Sequence, residues 1–364
     1  MKAGIVGLPN VGKSTLFNCL SNAKAQSANF PFCTIEPNIG VVNVPDDRIT
    51  KLEELVKPER VQTATVDIVD IAGLVRGASK GEGLGNQFLA NIRETDAIIH
   101  VIRCFDNDNI IHVDTTIDPV RDKETIDFEL QLKDLETLEK RLERVKKTAR
   151  TGNKDAQKEF DVLEKVRAGL EAANSVRAIE LSEKEREEYI MPLQLITDKP
   201  VLYVCNVDED AAVDGNAYVN AVKEAVKDEN AEVIILAVGT EADITELETF
   251  EERQLFLEDL GLHEPGASVL IRAAYKLLKQ QTYFTAGVKE VRAWTINIGD
   301  SAPQAAGVIH TDFEKGFIRA EVIAYDDFVK YGSEAKVKEA GKMKVEGKEY
   351  IVKDGDVMHF RFNV

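Results

Sequence analysis

Short, mainly apolar runs recur along the chain and predict the strands of a sheet. They lie at residues 3–6, 41–44, 65–69, 97–102, 201–205 and 233–238. Apolar runs without strict polar alternation are typical of strands that helices cover on both faces. The pattern therefore predicts an α/β fold with a mostly parallel sheet.

A different pattern separates the run at 97–102 from the run at 201–205. Over residues 122–192 the sequence is highly charged, and apolar residues recur at steps of three and four. This spacing is typical of paired helices, and the polar break at 151–153 predicts the turn between them. We expect an inserted antiparallel helical hairpin, with apolar stripes at Leu135, Leu138, Leu142, Val145 and at Phe160, Leu163, Val166, Leu170.

The C-terminal part of the chain has the alternation of β-strands. Apolar residues take every second place in 358–364, and Asp354-Gly355 before them predicts a two-residue hairpin turn. We expect a first domain at residues 1–280, interrupted by the insert at 122–192. A small β-rich domain with its own core is expected at 281–364.

The chain is acidic, with 46 Lys and Arg against 64 Asp and Glu in 364 residues and a formal charge of −18. Such a balance argues against general coating of nucleic acid, so any RNA contact requires a local patch. One concentrated patch, the basic tip, lies near the predicted hairpin turn. A solvated helix face and a nucleic-acid contact explain it equally well. Its members are Lys140, Arg141, Arg144, Lys146, Lys147, Arg150 and Lys154.

Cysteine usage and the N-terminal sequence indicate a cytoplasmic location. The four cysteines, at 19, 33, 104 and 205, lack metal-ligand spacing and are expected to be reduced thiols. A phosphate-binding loop begins at residue 7, which leaves no room for a secretory signal. No apolar run approaches membrane-spanning length, so we expect no membrane contact.

That loop, residues 7–14, reads Gly-Leu-Pro-Asn-Val-Gly-Lys-Ser between a predicted strand and a predicted helix. In this context backbone N–H groups turn toward the phosphates, Lys13 neutralises phosphate charge, and the Ser14 hydroxyl binds Mg²⁺. The motif predicts a nucleoside triphosphatase. The expected nucleotide contacts here are Asn10, Val11, Gly12, Lys13, Ser14 and Thr15.

A phosphate sensor is predicted where the strand at 65–69 ends in Asp70-Ile71-Ala72-Gly73. We expect Asp70 to hold Mg²⁺ through a water and the Gly73 N–H to donate to the γ-phosphate. Thr34 is the expected second hydroxyl ligand of Mg²⁺, unless it is a plain loop threonine.

The residue after the sensor glycine is Leu74, where Ras-like hydrolases carry the glutamine that orients the attacking water. A leucine side chain cannot form a hydrogen bond to water. Hydrolysis is therefore slow, or another group positions the attacking water. The Asn10 amide oxygen could hold a monovalent cation beside the phosphates, although a structural asparagine in the turn is equally consistent. His112 offers a second route, although an isolated loop histidine is usually just exposed.

The base-reading segment is expected at Asn206-Val207-Asp208-Glu209, after the strand at 201–205. Guanine-specific proteins have Asn-Lys-x-Asp there, in which the lysine covers the base and the carboxylate accepts from guanine. Val207 removes the cover and Glu209 lengthens the acid, which weakens guanine recognition. Asn206, Val207 and Glu209 are the expected base contacts, and Asp208 lies one place short of the reading position.

Together these motifs resemble the Obg-like ATPase family, YchF branch, of the translation-factor-related P-loop class. The resemblance covers the whole chain, with Asp208 beside Glu209 as a departure in the base-reading segment. The segments that carry it are residues 7–14, Pro-Phe-Cys-Thr-Ile-Glu-Pro-Asn at 31–38, Asp-Ile-Ala-Gly-Leu-Val-Arg-Gly at 70–77, Asn-x-x-Glu at 206–209 and the run at 281–294.

The resemblance implies a preference for ATP over GTP, slow hydrolysis with Leu74 in the glutamine place, and an inserted helical hairpin. It implies a C-terminal TGS domain, which is a ubiquitin-like β-grasp module. It also implies that His112 is the family's mobile histidine near the γ-phosphate. The implied partner is the ribosome, and we expect its large subunit to bind the basic tip, the TGS domain or both. Mg²⁺ is the expected cofactor, K⁺ a candidate second cation, and DNA is not an expected partner.

Two functions remain open from the sequence. In the first, the protein is an enzyme whose ATP turnover matters. In the second, ATP orders the loops around Thr34 and at 73–85 and so presents a surface to the ribosome. Leu74 and the glycine-rich stretch at 77–85 favour this switch. The alternatives are a ribosome-associated GTPase, or an RNA- or ribosome-binding regulator in which hydrolysis is incidental.

Overall fold

A computed structural model of the chain describes residues 1–22, 39–71, 84–229 and 231–363, with the backbone alone at 22 and 84–87. The strands are β1 (Lys2–Val6), β2 (Ile39–Asn43), β3 (Arg60–Gln62), β4 (Thr65–Asp70), β5 (Ala97–Arg103), β6 (Val201–Asn206), β7 (Glu232–Leu236), β8 (Gln280–Ala286), β9 (Glu290–Asn297), β10 (Phe317–Ile323), β11 (Lys344–Glu346) and β12 (Val357–Phe362).

Helices occur throughout the described part of the chain. None of them combines the length and the apolar character needed to cross a membrane. They are α1 (Lys13–Asn22), α2 (Asp47–Val56), α3 (Leu84–Arg93), α4 (Pro119–Ala149), α5 (Lys154–Glu171), α6 (Glu183–Glu185), α7 (Ala217–Val226), α8 (Val238–Glu246), α9 (Phe250–Asp259), α10 (Gly266–Leu277), α11 (Ala302–Ile309), α12 (Thr311–Lys315), α13 (Tyr325–Tyr331) and α14 (Glu334–Glu339).

The chain forms two compact units. Most of the first consists of Met1–Asn22 and Asp67–Leu270, and the second contains Val41–Val66 and Ile271–Val364. A segment near the N-terminus therefore groups with the C-terminal part of the chain. Its strand β3 pairs in parallel with β9, so that Val61 lies opposite Val291.

The predicted parallel sheet is confirmed, with the strand order β2-β4-β1-β5-β6-β7. β1 pairs in parallel with β4 and β5, and β6 pairs in parallel with β5 and β7. All residues of β5 and β6 are buried, as expected for strands covered on both faces. The last predicted strand is shorter than expected, because Val238 begins α8 instead of ending β7.

The predicted helical hairpin is confirmed as α4 and α5 with a short turn at residues 150–153. Its core contains the expected stripes, with Leu138, Leu142 and Val145 of α4 against Leu163 and Val166 of α5. The 31-residue α4 begins before the hairpin, and its first half packs against β5 and α7. One helix therefore belongs to both the sheet layer and the insert.

A buried carboxylate fixes the base of the hairpin. Asp134 of α4 is fully buried and accepts hydrogen bonds from the Ile196 N–H, the Thr197 N–H and the Thr197 hydroxyl, each at 2.7 Å. These bonds join α4 to the segment that leads into β6. The chain thus returns from the insert to the sheet at a defined place.

The second unit contains a mixed sheet with the order β11-β10-β12-β8-β9-β3. β8 and β9 form an antiparallel hairpin, and the last strand, β12, lies in parallel beside β8. Residues of α11 pack on this sheet in a core with Tyr283, Phe317 and Phe360. A hairpin, a crossing helix and a parallel last strand make the β-grasp arrangement that we expected.

The predicted hairpin at Asp354-Gly355 is wrong, although the turn itself is present. Before the turn, Ile351 forms only an isolated bridge with Ser301, so no strand leads into the turn as a hairpin partner of β12. Instead, the Asp354 carboxylate accepts from the Thr282 N–H and pairs with Arg48 at 2.7 Å. The turn sequence therefore fastens the chain onto β8.

Candidate nucleotide-binding site

Five strands of the parallel sheet end at one edge. They are β1, β4, β5, β6 and β7, which run in the same direction, so their carboxyl ends share this edge. Ligands of open α/β sheets bind at this edge. At this edge Asp70 ends β4 and Asn206 ends β6, while Lys13 is the first residue of α1 and His112 lies in the segment after β5.

The phosphate-binding loop turns sharply between β1 and α1. Gly12 has φ +98°, and a Cβ there would lie 2.6 Å from Asn206 Nδ2. Both the backbone conformation and the close approach therefore require glycine. Lys13 and Ser14 are the first residues of α1, and Thr15 follows them. The N-terminal end of α1 thus points its free N–H groups into the site.

Lys13 is buried, with 7% of its surface exposed, and its Nζ donates to the Leu8 carbonyl oxygen at 2.6 Å. Burial lowers the pKa of Lys13 to about 8, although the nearby Asp70 carboxylate raises it. The ammonium group therefore lacks a strong anionic partner. Phosphate oxygens would supply one.

The residues for Mg²⁺ fit that ion. Ser14 Oγ donates to Asp70 Oδ2 at 3.4 Å, so the two expected groups lie side by side. Asp70 Oδ1 is buried and has no hydrogen-bond partner among the described residues. Burial raises the pKa of Asp70, with Lys13 opposing the rise. A buried carboxylate oxygen that lacks a donor suits a hard cation and its water shell.

Three predicted residues lie outside the described part of the chain: Thr34, Gly73 and Leu74. Their expected roles as Mg²⁺ ligand, γ-phosphate donor and replacement for the water-orienting glutamine therefore stay predictions.

Beside the phosphate-binding loop is a cavity of about 360 Å³. The segment 206–209 lines it, together with residues 237–240 at the start of α8. Val207 is buried, and its N–H donates to the Leu236 carbonyl oxygen. Asp208 and Glu209 are exposed, and burial together with Asp106 and Asp210 raises the pKa of Asp208. The predicted base-reading segment thus forms one wall of a pocket.

Asn206 has both ends of its amide occupied. Nδ2 donates to the Val11 carbonyl oxygen at 2.9 Å, and Oδ1 accepts from the Val238 N–H at 3.1 Å. In this structure the side chain joins the phosphate-binding loop to the start of α8, which lines the cavity.

A second part of the cavity lining was missed by reasoning from the sequence. Phe105, Asn107 and Ile110, from the loop after β5, line the cavity. The available signal was Arg103, a charged residue that ends a mainly apolar strand and precedes an aromatic residue by two places.

The same loop approaches the phosphate-binding loop through Asn10. Asn10 has φ +62°, and its Nδ2 donates to the Ile111 carbonyl oxygen at 3.1 Å. This contact gives the asparagine a structural role in the turn. It does not use the amide oxygen, for which K⁺ coordination stays a prediction.

His112 follows Ile111, and the expectation that it is exposed is wrong. Only 7% of its surface is exposed, and its Nε2 lies 2.7 Å from Asp122 Oδ2. Nδ1 accepts from the Asp114 N–H at 3.1 Å, so in the neutral ring Nε2 carries the proton and donates to Asp122. The histidine is therefore held one residue from a contact of the phosphate-binding loop.

The basic tip lies at the end of α4, at the turn and at the start of α5. Lys140 and Arg141 pair with Glu136 and Glu159, at 2.5 and 2.6 Å. The remaining cations are exposed and form no ion pair with any described residue: Arg144, Lys146, Lys147, Arg150 and Lys154. A smaller but unneutralised group of charges is thus available to an anionic partner.

Comparison with known proteins covers the whole chain. Residues 2–134 match a family described as 50S ribosome-binding GTPase, and residues 280–363 match the YchF-GTPase_C family, described as a protein of unknown function. The chain is 58% identical to the ribosome-binding ATPase YchF of Pasteurella multocida and 59% to that of Escherichia coli O157:H7, covering 100% of this chain and 99% of each relative. The structure of the Schizosaccharomyces pombe YchF GTPase matches with a TM-score of 0.90 at 40% identity, over 99% of this chain and 97% of that one.

The lowered pKa of Lys13 predicts that nucleotide binding takes up a proton in alkaline solution. Bound phosphates raise the pKa of the lysine again, so binding at pH 9 should take up close to one proton, and binding at pH 7 far less. Affinity should accordingly fall as the pH rises above about 8. Calorimetry of a non-hydrolysable triphosphate analogue, in buffers of different ionisation enthalpy, measures the uptake.

Lys13→Arg is the matched control, because a guanidinium stays protonated at both pH values. The variant should remove the difference in proton uptake between pH 7 and pH 9. Equal uptake at the two pH values in the unmodified protein would contradict the prediction.

Proposed function

The chain belongs to the YchF family, and on that basis we propose that it is a Mg²⁺-dependent, slowly hydrolysing ATPase that binds the ribosome as a nucleotide-dependent switch. The observation that carries the proposal is the site at the start of α1, where buried Lys13 and the Ser14–Asp70 pair meet. It offers one cation to the phosphates and a carboxylate with a free oxygen to Mg²⁺.

In this proposal, Asn10, Val11, Gly12 and Thr15 surround the phosphates together with Lys13 and Ser14. Ser14, Asp70 and Thr34 hold Mg²⁺, and the Gly73 N–H donates to the γ-phosphate. The metal, when bound, neutralises charge that develops on the phosphate oxygens. K⁺ beside the Asn10 amide oxygen is an optional addition, and equal turnover in K⁺ and Na⁺ would remove it.

The nucleotide that we propose is ATP. The names of the relatives differ on this point, since the bacterial proteins are called ATPases and the Schizosaccharomyces pombe protein a GTPase. Support for ATP comes from the base pocket, where Val207 is buried and provides no lysine stem to cover a guanine. Glu209 replaces the shorter acid of the guanine pattern.

His112 is our candidate for the group that assists hydrolysis. Support comes from its place directly after Ile111, which contacts Asn10 of the phosphate-binding loop. To reach a phosphate, the ring must leave Asp122 and the Asp114 N–H. Asp122 is thus proposed as the residue that holds the histidine in reserve.

The ribosome is the proposed partner, with the basic tip as the contact surface. The description of the family that matches residues 2–134 names the 50S particle, which favours the large subunit. RNA phosphates attract exposed, unpaired cations, and Arg144, Lys146 and Lys147 are of this kind. A ribosome partner also implies a cytoplasmic location.

Residues 281–364 are proposed to be a TGS domain, following a nucleotide-binding domain at 1–280 with its insert at 122–192. Support is the β-grasp order of the second sheet. Superposition on the TGS domain of a threonyl-tRNA synthetase tests the assignment, and a different order of the central strands would refute it.

ATP should bind more tightly than GTP, by about tenfold or more, which corresponds to about 1.4 kcal/mol. Competition calorimetry with the purified protein measures the ratio. The double change Val207→Lys and Glu209→Asp restores the guanine pattern and should reduce the ratio of ATP affinity to GTP affinity. Asp214→Asn, which lies outside the cavity lining, is the control and should leave it unchanged. Tighter binding of GTP by the unmodified protein would overturn the choice of ATP.

His112→Ala should lower the ATP turnover by about 100-fold, because the assisting group is lost, while the Kd for ATP stays unchanged. Steady-state phosphate release and calorimetry measure the two quantities. His310→Ala, at an exposed histidine of the second unit, is the matched control. A turnover within about twofold of the unmodified protein would remove His112 from the mechanism.

Reversal of Arg144, Lys146 and Lys147 to Glu should weaken co-sedimentation with ribosomes and reduce its dependence on salt. The slope of log K against log salt is negative, and the loss of three phosphate contacts should make it less steep by about two. As a switch, the unmodified protein should pellet more with an ATP analogue than with ADP or no nucleotide.

The control for the tip reverses three exposed lysines elsewhere in the first unit, Lys184, Lys223 and Lys227, with the same change of net charge. It should leave sedimentation unchanged. An unaltered salt slope in the tip variant would exclude this surface, and equal pelleting in all three nucleotide states would exclude the switch.

A further inference from the structure

One of the largest fully buried side chains of the described structure carries a positive charge. Arg103 ends β5, and 1% of its surface is exposed. A buried guanidinium ordinarily pairs with a carboxylate, because taking an unpaired charge out of water is costly. Within the described residues no carboxylate lies within 4 Å of it, so another set of acceptors must compensate its charge.

Those acceptors are three backbone carbonyls of the loop that follows β5. Nε donates to Phe105 O at 3.2 Å, Nη2 to Asn107 O at 3.1 Å, and Nη1 to Ile110 O at 2.9 Å. The guanidinium carbon also lies 4.6 Å from the centroid of the Phe105 ring. Arg103 therefore binds its own loop at three points and at one side-chain face.

The three residues that Arg103 binds are among those that line the base cavity. Phe105, Asn107 and Ile110 form one wall, and the segment 207–209 and the start of α8 also line the cavity. Within the loop, the Ile110 N–H donates to Asn107 O and the Asn109 N–H to Asn107 Oδ1, and from outside the loop the Tyr218 hydroxyl donates to Asp106. A charge-assisted hydrogen bond stabilises more than a neutral one, so the arginine is the main brace of this wall.

The wall is also connected to the phosphate side. The next residue, Ile111, accepts from Asn10 Nδ2 of the phosphate-binding loop. Arg103 therefore holds one end of a loop whose other end contacts the phosphate-binding loop.

We propose that Arg103 is a positioning residue for nucleotide recognition, which holds the loop 105–110 in the shape that receives the base. The inference rests on the proposed ATP site and deepens it, because it assigns base-dependent affinity to a buried side chain. Arg103 lies behind the wall and is not part of the cavity lining. Its loss should loosen the wall and reduce the part of the affinity that depends on the base and ribose.

Two variants of the full chain test the proposal. Arg103→Met keeps the length of the side chain and removes all donors, whereas Arg103→Lys keeps the charge and replaces the planar fork by one point of donation. The probes are an ATP analogue and inorganic triphosphate, each with Mg²⁺, and calorimetry gives the Kd of each. For both variants we expect the Kd of the ATP analogue to rise by about tenfold or more and that of triphosphate to change less than about twofold.

The ratio of the two Kd values is the decisive readout, because general damage to the site weakens both ligands together. Equal weakening, or an unchanged affinity for the ATP analogue, would overturn the proposal. If Arg103→Met fails to fold, as judged by circular dichroism, the ratio measured with Arg103→Lys decides. An unmodified protein that binds triphosphate but no ATP analogue would refute the proposed function instead of this inference.

Arg177→Lys is the matched control. Arg177 is a largely buried arginine of the same unit, with 11% of its side chain exposed, and it contacts Glu229 and Thr197 away from the base cavity. Its substitution should leave the Kd ratio unchanged. A shift equal to that of Arg103→Lys would mean that any buried arginine of this unit affects base binding, and would also overturn the proposal.

Discussion

The candidate site depends on one amide. Asn206 is buried at the end of β6, and its two hydrogen bonds join the loop after β1 to the first turn after β7. In a low-dielectric interior a satisfied amide holds its neighbours firmly, since breaking either bond would leave a buried polar group unpaired. The close approach to Gly12 follows from the same contact. The position of Lys13 and the shape of the base cavity both depend on this junction.

Local periodicity explains which parts of the fold could be predicted. The spacing of apolar residues over a few positions predicts the buried strands and the two hairpin helices. The structure has these elements close to the expected places. The pairing of β3 with β9 could not be predicted, because it joins segments more than two hundred residues apart through backbone bonds. Asp354-Gly355 shows the same limit, since a turn sequence does not state which strand it contacts.

At the site, the residues that belong to a sequence motif could be predicted, because the motif defines their backbone positions. The residues whose partners are backbone groups could not. Lys13, Ser14 and Asp70 lie together because a strand, a turn and a helix in sequence fix the loop. Arg103 stands out in the sequence as a charge at the end of a buried strand, but it binds three carbonyls, which every sequence contains, so its partners could not be predicted. The burial of His112 depends on Asp122 across an irregular loop, and that geometry arises only in the folded chain.

The continuity of α4 has a mechanical consequence. Asp122, in its first turn, contacts His112, and Arg144 lies 22 positions further along the same unbroken helix. At a rise of 1.5 Å per residue the two points are about 33 Å apart. Asp134, which anchors the helix between them, lies about 18 Å from the first point and about 15 Å from the second. The helix is thus a lever arm with its pivot at Asp134, and a rotation there would move the His112 end and the tip end in opposite directions.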